Sequence, residues 1–313
     1  MKKTLLLIVK LSLTVIILAV IIRKLNFDQI YRTFTAPNMT FLFIAFILVI
    51  PNFIFKFWKW HYLLQTCGIN ESYYNAFRSY LAGLAIGMVT PARAGEVGRA
   101  LFLQKKEKLK GTGVVIVDKL FDLTGIVLLS LLGARIFISP LIFYLLFAFV
   151  VAGIAFLLFS SFFYRLIVPM MSNKPFGTKI KQVLSVFERL SKRVVTKNIA
   201  ITLAMFFVVL FQCYFFVKAF YPDALAFNAI LFAYPLVIVA NILPITIGGL
   251  GVREGVAVFT LSVFNIPGEV AVSATLYLFI INVVFPSLIG CLIIASAGNF
   301  SKEAKNIQAD PIE

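Results

Sequence analysis

The chain has 313 residues, 61% of them hydrophobic and only 13% charged, with a mean hydropathy of +0.98. A soluble domain with one anchor is excluded, and the chain reads as a single polytopic membrane domain over 1–313. Its net charge of +16 comes without any aromatic-basic module for nucleic acid, and basic loops kept on the cytoplasmic side of a membrane account for it.

Met1-Lys2-Lys3 followed by Thr4 to Ile22 has the outline of a secretory signal. The apolar part is long, no small-residue cleavage pattern follows, and Arg23-Lys24 closes it, so it reads as a first retained span. A polar loop is expected over 23–38, a second span over Thr40 to Phe57, and a polar connection over Lys56 to Ser72. Trp58 and Trp60 flank Lys59 at the end of that apolar run, as in an interfacial aromatic belt, and His61 follows them there.

Tyr73 to Val89 then runs into Thr90-Pro91-Ala92-Arg93-Ala94-Gly95-Glu96-Val97-Gly98-Arg99. A helix cannot pass cleanly through a proline followed by paired glycines, so a hairpin is expected that enters the membrane and returns to the same side. A basic run at 105–110 follows, then spans over Gly113 to Ile136 and Leu141 to Phe159. Residues 165–197 form the one long polar segment. Within it Ile180, Val183, Leu184, Phe187, Leu190 and Val194 recur at helical spacing. That pattern predicts an amphipathic helix, either lying through 179–194 on an anionic membrane surface or packed as a linker on the protein itself. Asn198 to Phe220 spans again, Phe227 to Thr246 with Val256 to Phe264 forms a second hairpin, and Val270 to Ala297 is the last span. The expected fold is an all-α integral membrane protein of six full transmembrane helices plus two re-entrant hairpins.

The second hairpin repeats the first. Asn75-Ala76 recurs as Asn228-Ala229, Pro91 as Pro244, Gly95 as Gly248 and Gly98 as Gly251, all at one offset, 244 − 91 = 153. Gly249 thickens the second copy, and the charged cluster recurs one position out of step as Arg253-Glu254. With both termini cytoplasmic, inner segments carry 18 of the 29 lysines and arginines and outer segments 4. One hairpin then enters from each side, and the repeats, about 40–136 and 198–297, are inverted. Paired, glycine- and proline-broken apolar segments of this kind point to a transporter's binding site.

Charge inside the membrane carries the functional reading. Arg93, Glu96 and Arg99 are spaced three apart and share a helix face, with a surplus positive charge that suits a phosphate. The alternative is an ion-pair cluster locking the hairpin to a neighbour. Asp118 and Asp122 share a face of the third full span, with Lys119 off that face, and Asp122 lies roughly 18 Å past Lys110, near mid-membrane. They either pair with Arg93 or Arg99, or exchange protons. Arg253 and Glu254 pose the same choice, whereas Gln212, Asn241 and Asn282 read as helix-to-helix hydrogen bonds. Neither a disulfide framework, a metal site nor an enzyme motif is visible, and no cofactor is implied.

Residues Pro91 to Arg99, with Leu243 to Gly255 following later in the chain, resemble the lysylphosphatidylglycerol synthase transmembrane region family, also called flippase-like, the membrane half of the multiple peptide resistance factor. The resemblance implies a lipid-translocating helical bundle of the cytoplasmic membrane. By position, Pro91, Arg93, Gly95, Glu96 and Arg99 match its first motif, and Gly248, Gly251, Arg253 and Glu254 its second. In the resistance factor a soluble aminoacyl-transfer domain follows, so lysyl transfer is not expected of this chain. The expected function is movement of an anionic phospholipid or lipid-linked headgroup between leaflets, with Arg93, Arg99 and Arg253 on phosphate. Glu96, Asp118, Asp122 and Glu254 would be counter-charges or proton-coupling groups, and membrane phospholipid the partner. An ion-coupled transporter of a small anionic solute, or a non-transporting regulatory subunit, are the other readings.

Overall fold

In hydrocarbon every backbone amide needs an internal partner, which an apolar chain satisfies with helices. The computed structural model describes residues 2–88, 90–171, 177–222, 226–242, 245–246 and 249–296, and every regular element among them is helical. Four helices among these residues are long and apolar enough to cross a membrane: Met39–Thr66, Pro140–Leu158, Lys192–Phe220 and Gly268–Ser296. Their outer faces are greasy, with Leu141 and Leu292 at 70% and 72% exposure, a surface that suits lipid rather than water.

The first helix, α1 (Lys2–Leu25), packs on α2 (Phe27–Thr35) and later on the second hairpin. The expected loop over 23–38 is therefore corrected. Asn26 caps a helix there by accepting from the Asp28 amide, and Phe34 packs on Tyr277 at 4.7 Å between ring centres. Next come α3 (Met39–Ile47) and α4 (Val49–Thr66), which break at Leu48 because Pro51 supplies no amide for the Ile47 carbonyl. Helix α4 runs nine residues past Phe57, through the expected polar connection.

The first hairpin pairs α5 (Tyr73–Met88) with a 12-residue 3-10 helix, Pro91–Phe102. Glycine lets the two limbs approach on both sides. A Cβ on Gly83 would lie 2.6 Å from the Arg99 Cβ, and one on Gly95 would lie 2.5 Å from the Ile86 carbonyl oxygen. The Gly95 amide donates to Thr90 Oγ1 at 2.7 Å, closing the turn, and Gly98 lies over Ile86.

Helix α6 (Lys108–Phe137) packs against both hairpins and so joins the two halves. Beyond it lie α7 (Pro140–Leu158), α8 (Ser160–Met171), α9 (Gly177–Glu188) and α10 (Lys192–Phe220). The single amphipathic helix expected over 179–194 is two helices. It breaks at 189–191, where Ser191 caps α10 by accepting from the Val194 amide. Val186, Phe187 and Leu190 are buried against the protein, while Lys181, Arg189, Lys192 and Arg193 remain exposed. The second hairpin is α11 (Phe227–Ile242) with α12 (Val252–Ser262). Finally α13 (Gly268–Phe279) continues through a π turn, Ile280–Val284, to Ser296. Pro286 has no amide for the Asn282 carbonyl, which accounts for the irregular turn there.

One apolar core forms around α4, α5, α6 and α9, with Trp60, Leu64, Leu81, Phe121 and Val186. Another gathers α10 to α13 through Leu210, Phe216, Tyr234 and Leu261. Ile126, Leu129, Val150 and Phe206 fill the space between them. Gly95→Ala pushes a methyl into backbone and is expected to cost about 1–3 kcal/mol, seen as a lower unfolding midpoint in detergent. Gly255→Ala, whose Cβ would meet only Ile21 Cδ1 at 3.9 Å, should leave that midpoint unchanged.

Candidate functional site

Between the hairpins and α4, α6, α10 and α13 lies a cavity of about 360 Å³, within the ordinary range for small-ligand sites. Its charged lining starts from Asp118, whose carboxylate is shared. Arg99 Nη2 meets Oδ2 at 2.5 Å, and Lys59 Nζ meets Oδ1 at 2.9 Å. Lys59 also pairs with Asp122, Asp122 lies 3.7 Å from Lys119, Lys119 pairs with Glu96, and Glu96 lies 4.0 Å from Arg93. The result is one alternating chain of seven charges: Arg99, Asp118, Lys59, Asp122, Lys119, Glu96, Arg93.

Local structure places each member. In the 3-10 helix, three residues per turn set Arg93, Glu96 and Arg99 in one row. Arg93 takes a φ of 54°, a left-handed backbone that non-glycine residues adopt at a cost of about 1–3 kcal/mol. Arg99 is fully buried, its guanidinium 4.0 Å from the centre of the Trp60 ring, and Trp60 is held by its indole N–H donating to Ser79 Oγ at 3.1 Å. Asn52, Lys56 and Lys59 fall on one face of α4 and all line the cavity.

The second hairpin contributes Arg253, which pairs through its Nε at 3.0 Å and its Nη2 with Glu254 Oε1, and lies 4.4 Å from the Phe279 ring centre. The other Glu254 oxygen accepts from the Gly251 amide at 2.7 Å, so Glu254 caps α12 and braces Arg253 instead of facing the cavity. Gly249 and Gly251 have φ of 74° and 85°, which glycine alone adopts freely. Pro244 and Gly248 lie outside the described residues, and Pro91 opens the 3-10 helix. Asn282 in the π turn accepts from Asn52 and donates to Gln212, which donates to the Ala45 carbonyl, a relay across four helices. Arg99 Nε and Asn241 Oδ1 are buried with no protein partner, and both residues line the cavity.

The structure thus brings Arg93, Glu96, Arg99, Asp118, Asp122 and Arg253 around one space. Of the expected alternatives, Asp118 pairs with Arg99, and Glu96 with Arg93 and Lys119. Lys119, off the Asp118–Asp122 face, also lines the cavity. One expectation is corrected: Lys59, Trp60 and His61 are buried within the protein, His61 stacked on Tyr73 at 4.1 Å.

Long apolar helices with greasy exteriors around a buried, ion-paired cavity define a multi-pass α-helical membrane protein. A family model for the lysylphosphatidylglycerol synthase TM region matches residues 7–290, and the chain belongs to that family. It is also similar to a UPF0104 membrane protein of Methanocaldococcus jannaschii, 25% identical over 319 residues that cover 92% of this chain and 93% of the relative.

Asp118→Asn is expected to destabilise the fold by about 3–5 kcal/mol, since it leaves two buried cations with one fewer carboxylate. Asp122→Asn should cost less, because that side chain is 23% exposed and Lys59 keeps Asp118. Denaturant titration of the detergent-solubilised variants checks the order.

Proposed function

We infer that this protein moves an anionic phospholipid or lipid-linked headgroup between the leaflets of the cytoplasmic membrane. The observation that carries the reading is a membrane-buried cavity lined by six cations, Lys56, Lys59, Arg93, Arg99, Lys119 and Arg253, against three carboxylates. Intramembrane charge is costly and marks function by default, and guanidinium groups suit phosphate. Apolar groups such as Leu84, Val115, Phe206 and Val237 line the rest of the cavity, which favours a ligand with acyl chains over a small anionic solute. A charged cavity of this size also disfavours a purely regulatory subunit.

In this reading α1 and α6 join the four apolar helices as six full spans, and the two hairpins are re-entrant arms of an inverted repeat. Each arm breaks at a glycine motif and brings arginine to the same cavity. Both termini lie in the cytoplasm, and movement runs downhill or is coupled to an ion gradient. The exposed basic face of α9 and the start of α10 suits an anionic membrane surface.

The structure separates the two first-motif arginines as targets for testing. Arg99 is locked between Asp118 and Trp60, so its removal tests folding, whereas Arg93 holds one carboxylate at 4.0 Å with 30% of its side chain exposed. Arg93→Gln in proteoliposomes is expected to cut movement of a fluorescent anionic lipid by at least about tenfold, equivalent to losing one charge-assisted contact. Protein abundance and unfolding midpoint should hold. Unchanged lipid movement would remove Arg93 from the headgroup site.

A further inference from the structure

We propose that the cavity's occupant carries two negative charges on one headgroup, as a phosphomonoester or diphosphate lipid does, and that Lys56 sets this requirement. The proposal rests on the anionic-headgroup reading above. The charges at the site do not cancel. The seven-membered chain begins and ends on arginine, so its four cations exceed its three carboxylates by one. Arg253 is balanced by Glu254.

Lys56 lies outside both sets. Among the described residues it makes no ion pair; its ammonium lies 5.4 Å from the centre of the Phe53 ring, and the side chain lines the cavity. It precedes Lys59 by one turn of α4, so it stands beside the chain without being part of it. Six cations against four carboxylates leave a surplus of two positive charges in a compartment walled by apolar side chains.

A surplus charge facing a cavity walled largely by apolar side chains is unfavourable until an opposite charge neutralises it. A phosphodiester headgroup brings one negative charge and leaves one cation uncompensated. A phosphomonoester above its second pKa of about 6 brings nearly two. Headgroups that add an ammonium, zwitterionic or aminoacylated, move the balance the wrong way. Inorganic phosphate offers the same chemistry as a phosphomonoester lipid but leaves the apolar lining unused.

The test measures binding to the purified full chain in nanodiscs at pH about 7.5, above that second pKa, by native mass spectrometry and competition. The probes are dioleoyl phosphatidic acid, dioleoyl phosphatidylglycerol, dioleoyl phosphatidylcholine and inorganic phosphate. Phosphatidic acid is expected to bind about tenfold more tightly than phosphatidylglycerol, the effect of one further paired charge, and phosphatidylglycerol more tightly than phosphatidylcholine. Lys56→Met should erase the first difference and keep the second, whereas Lys56→Arg should keep both.

Equal binding of phosphatidic acid and phosphatidylglycerol overturns the two-charge requirement while the anionic-lipid reading stands. Equal binding of all three lipids overturns that reading itself. A Lys56→Met variant that still prefers phosphatidic acid overturns the role of Lys56. Inorganic phosphate binding as tightly as phosphatidic acid overturns the lipid source. If Lys56→Met fails to fold, Lys56→Gln takes its place, and the wild-type ranking decides the charge requirement on its own.

Discussion

The sharing of Asp118 between Lys59 and Arg99 is the interaction on which the rest depends. Three elements meet there: α4, the 3-10 limb of the first hairpin, and α6. None of the three groups is stable alone in a low-dielectric interior, since breaking a buried pair strands a charge. Together they fix the register of the hairpin against the bundle more sharply than apolar packing could, because leucines can slide and ion pairs with defined partners cannot. Trp60 beneath Arg99 extends the constraint into the apolar core, so the charged chain and the packing around α4 and α6 form one unit.

That register makes the glycines necessary. Arg99 and Glu96 reach α6 only if the 3-10 limb lies almost against α5, and Gly83, Gly87, Gly95 and Gly98 provide the room. The tight 3-10 winding brings residues three apart into line, so one short segment serves Asp118 at its buried end and Lys119 at its open end. The left-handed Arg93 is the cost of that compactness, a locally unfavourable backbone at the position where the chain turns toward the cavity.

Much of this was legible in the sequence, and the rest failed for identifiable reasons. The helix break after Met88 followed from proline and glycine in an apolar run, and the common face of Asp118 and Asp122 from their four-residue spacing. Lys56 and Lys59 were misread because a charge near the end of an apolar run looks interfacial when only neighbours in sequence are weighed. Their spacing from Asn52, four and seven residues, was the available signal that all three share one helix face. The break at 189–191 was signalled by Ser191 as a helix cap, which the apolar periodicity overrode. The π turn had only Pro286 to announce it. The pairing of Lys119 with Glu96 had no local signal, since it depends on how two distant elements cross.

The charged chain is graded along its length. Its Arg99 end is 1% exposed, whereas Lys119 and Arg93 at the other end reach 44% and 30%. Exchange of an ion-pair partner is easiest where water or a headgroup can replace the outgoing carboxylate as it leaves, and hardest where no substitute can enter. The buried half is therefore suited to holding the fold together while the open half changes partners. On the proposed reading, the open half, with Lys56 beside it and Arg253 across the cavity, trades its internal carboxylates for the headgroup phosphate. An anion exchanged at the open half would leave intact the pairs that stabilise the fold, which a cluster of equally buried charges would not allow.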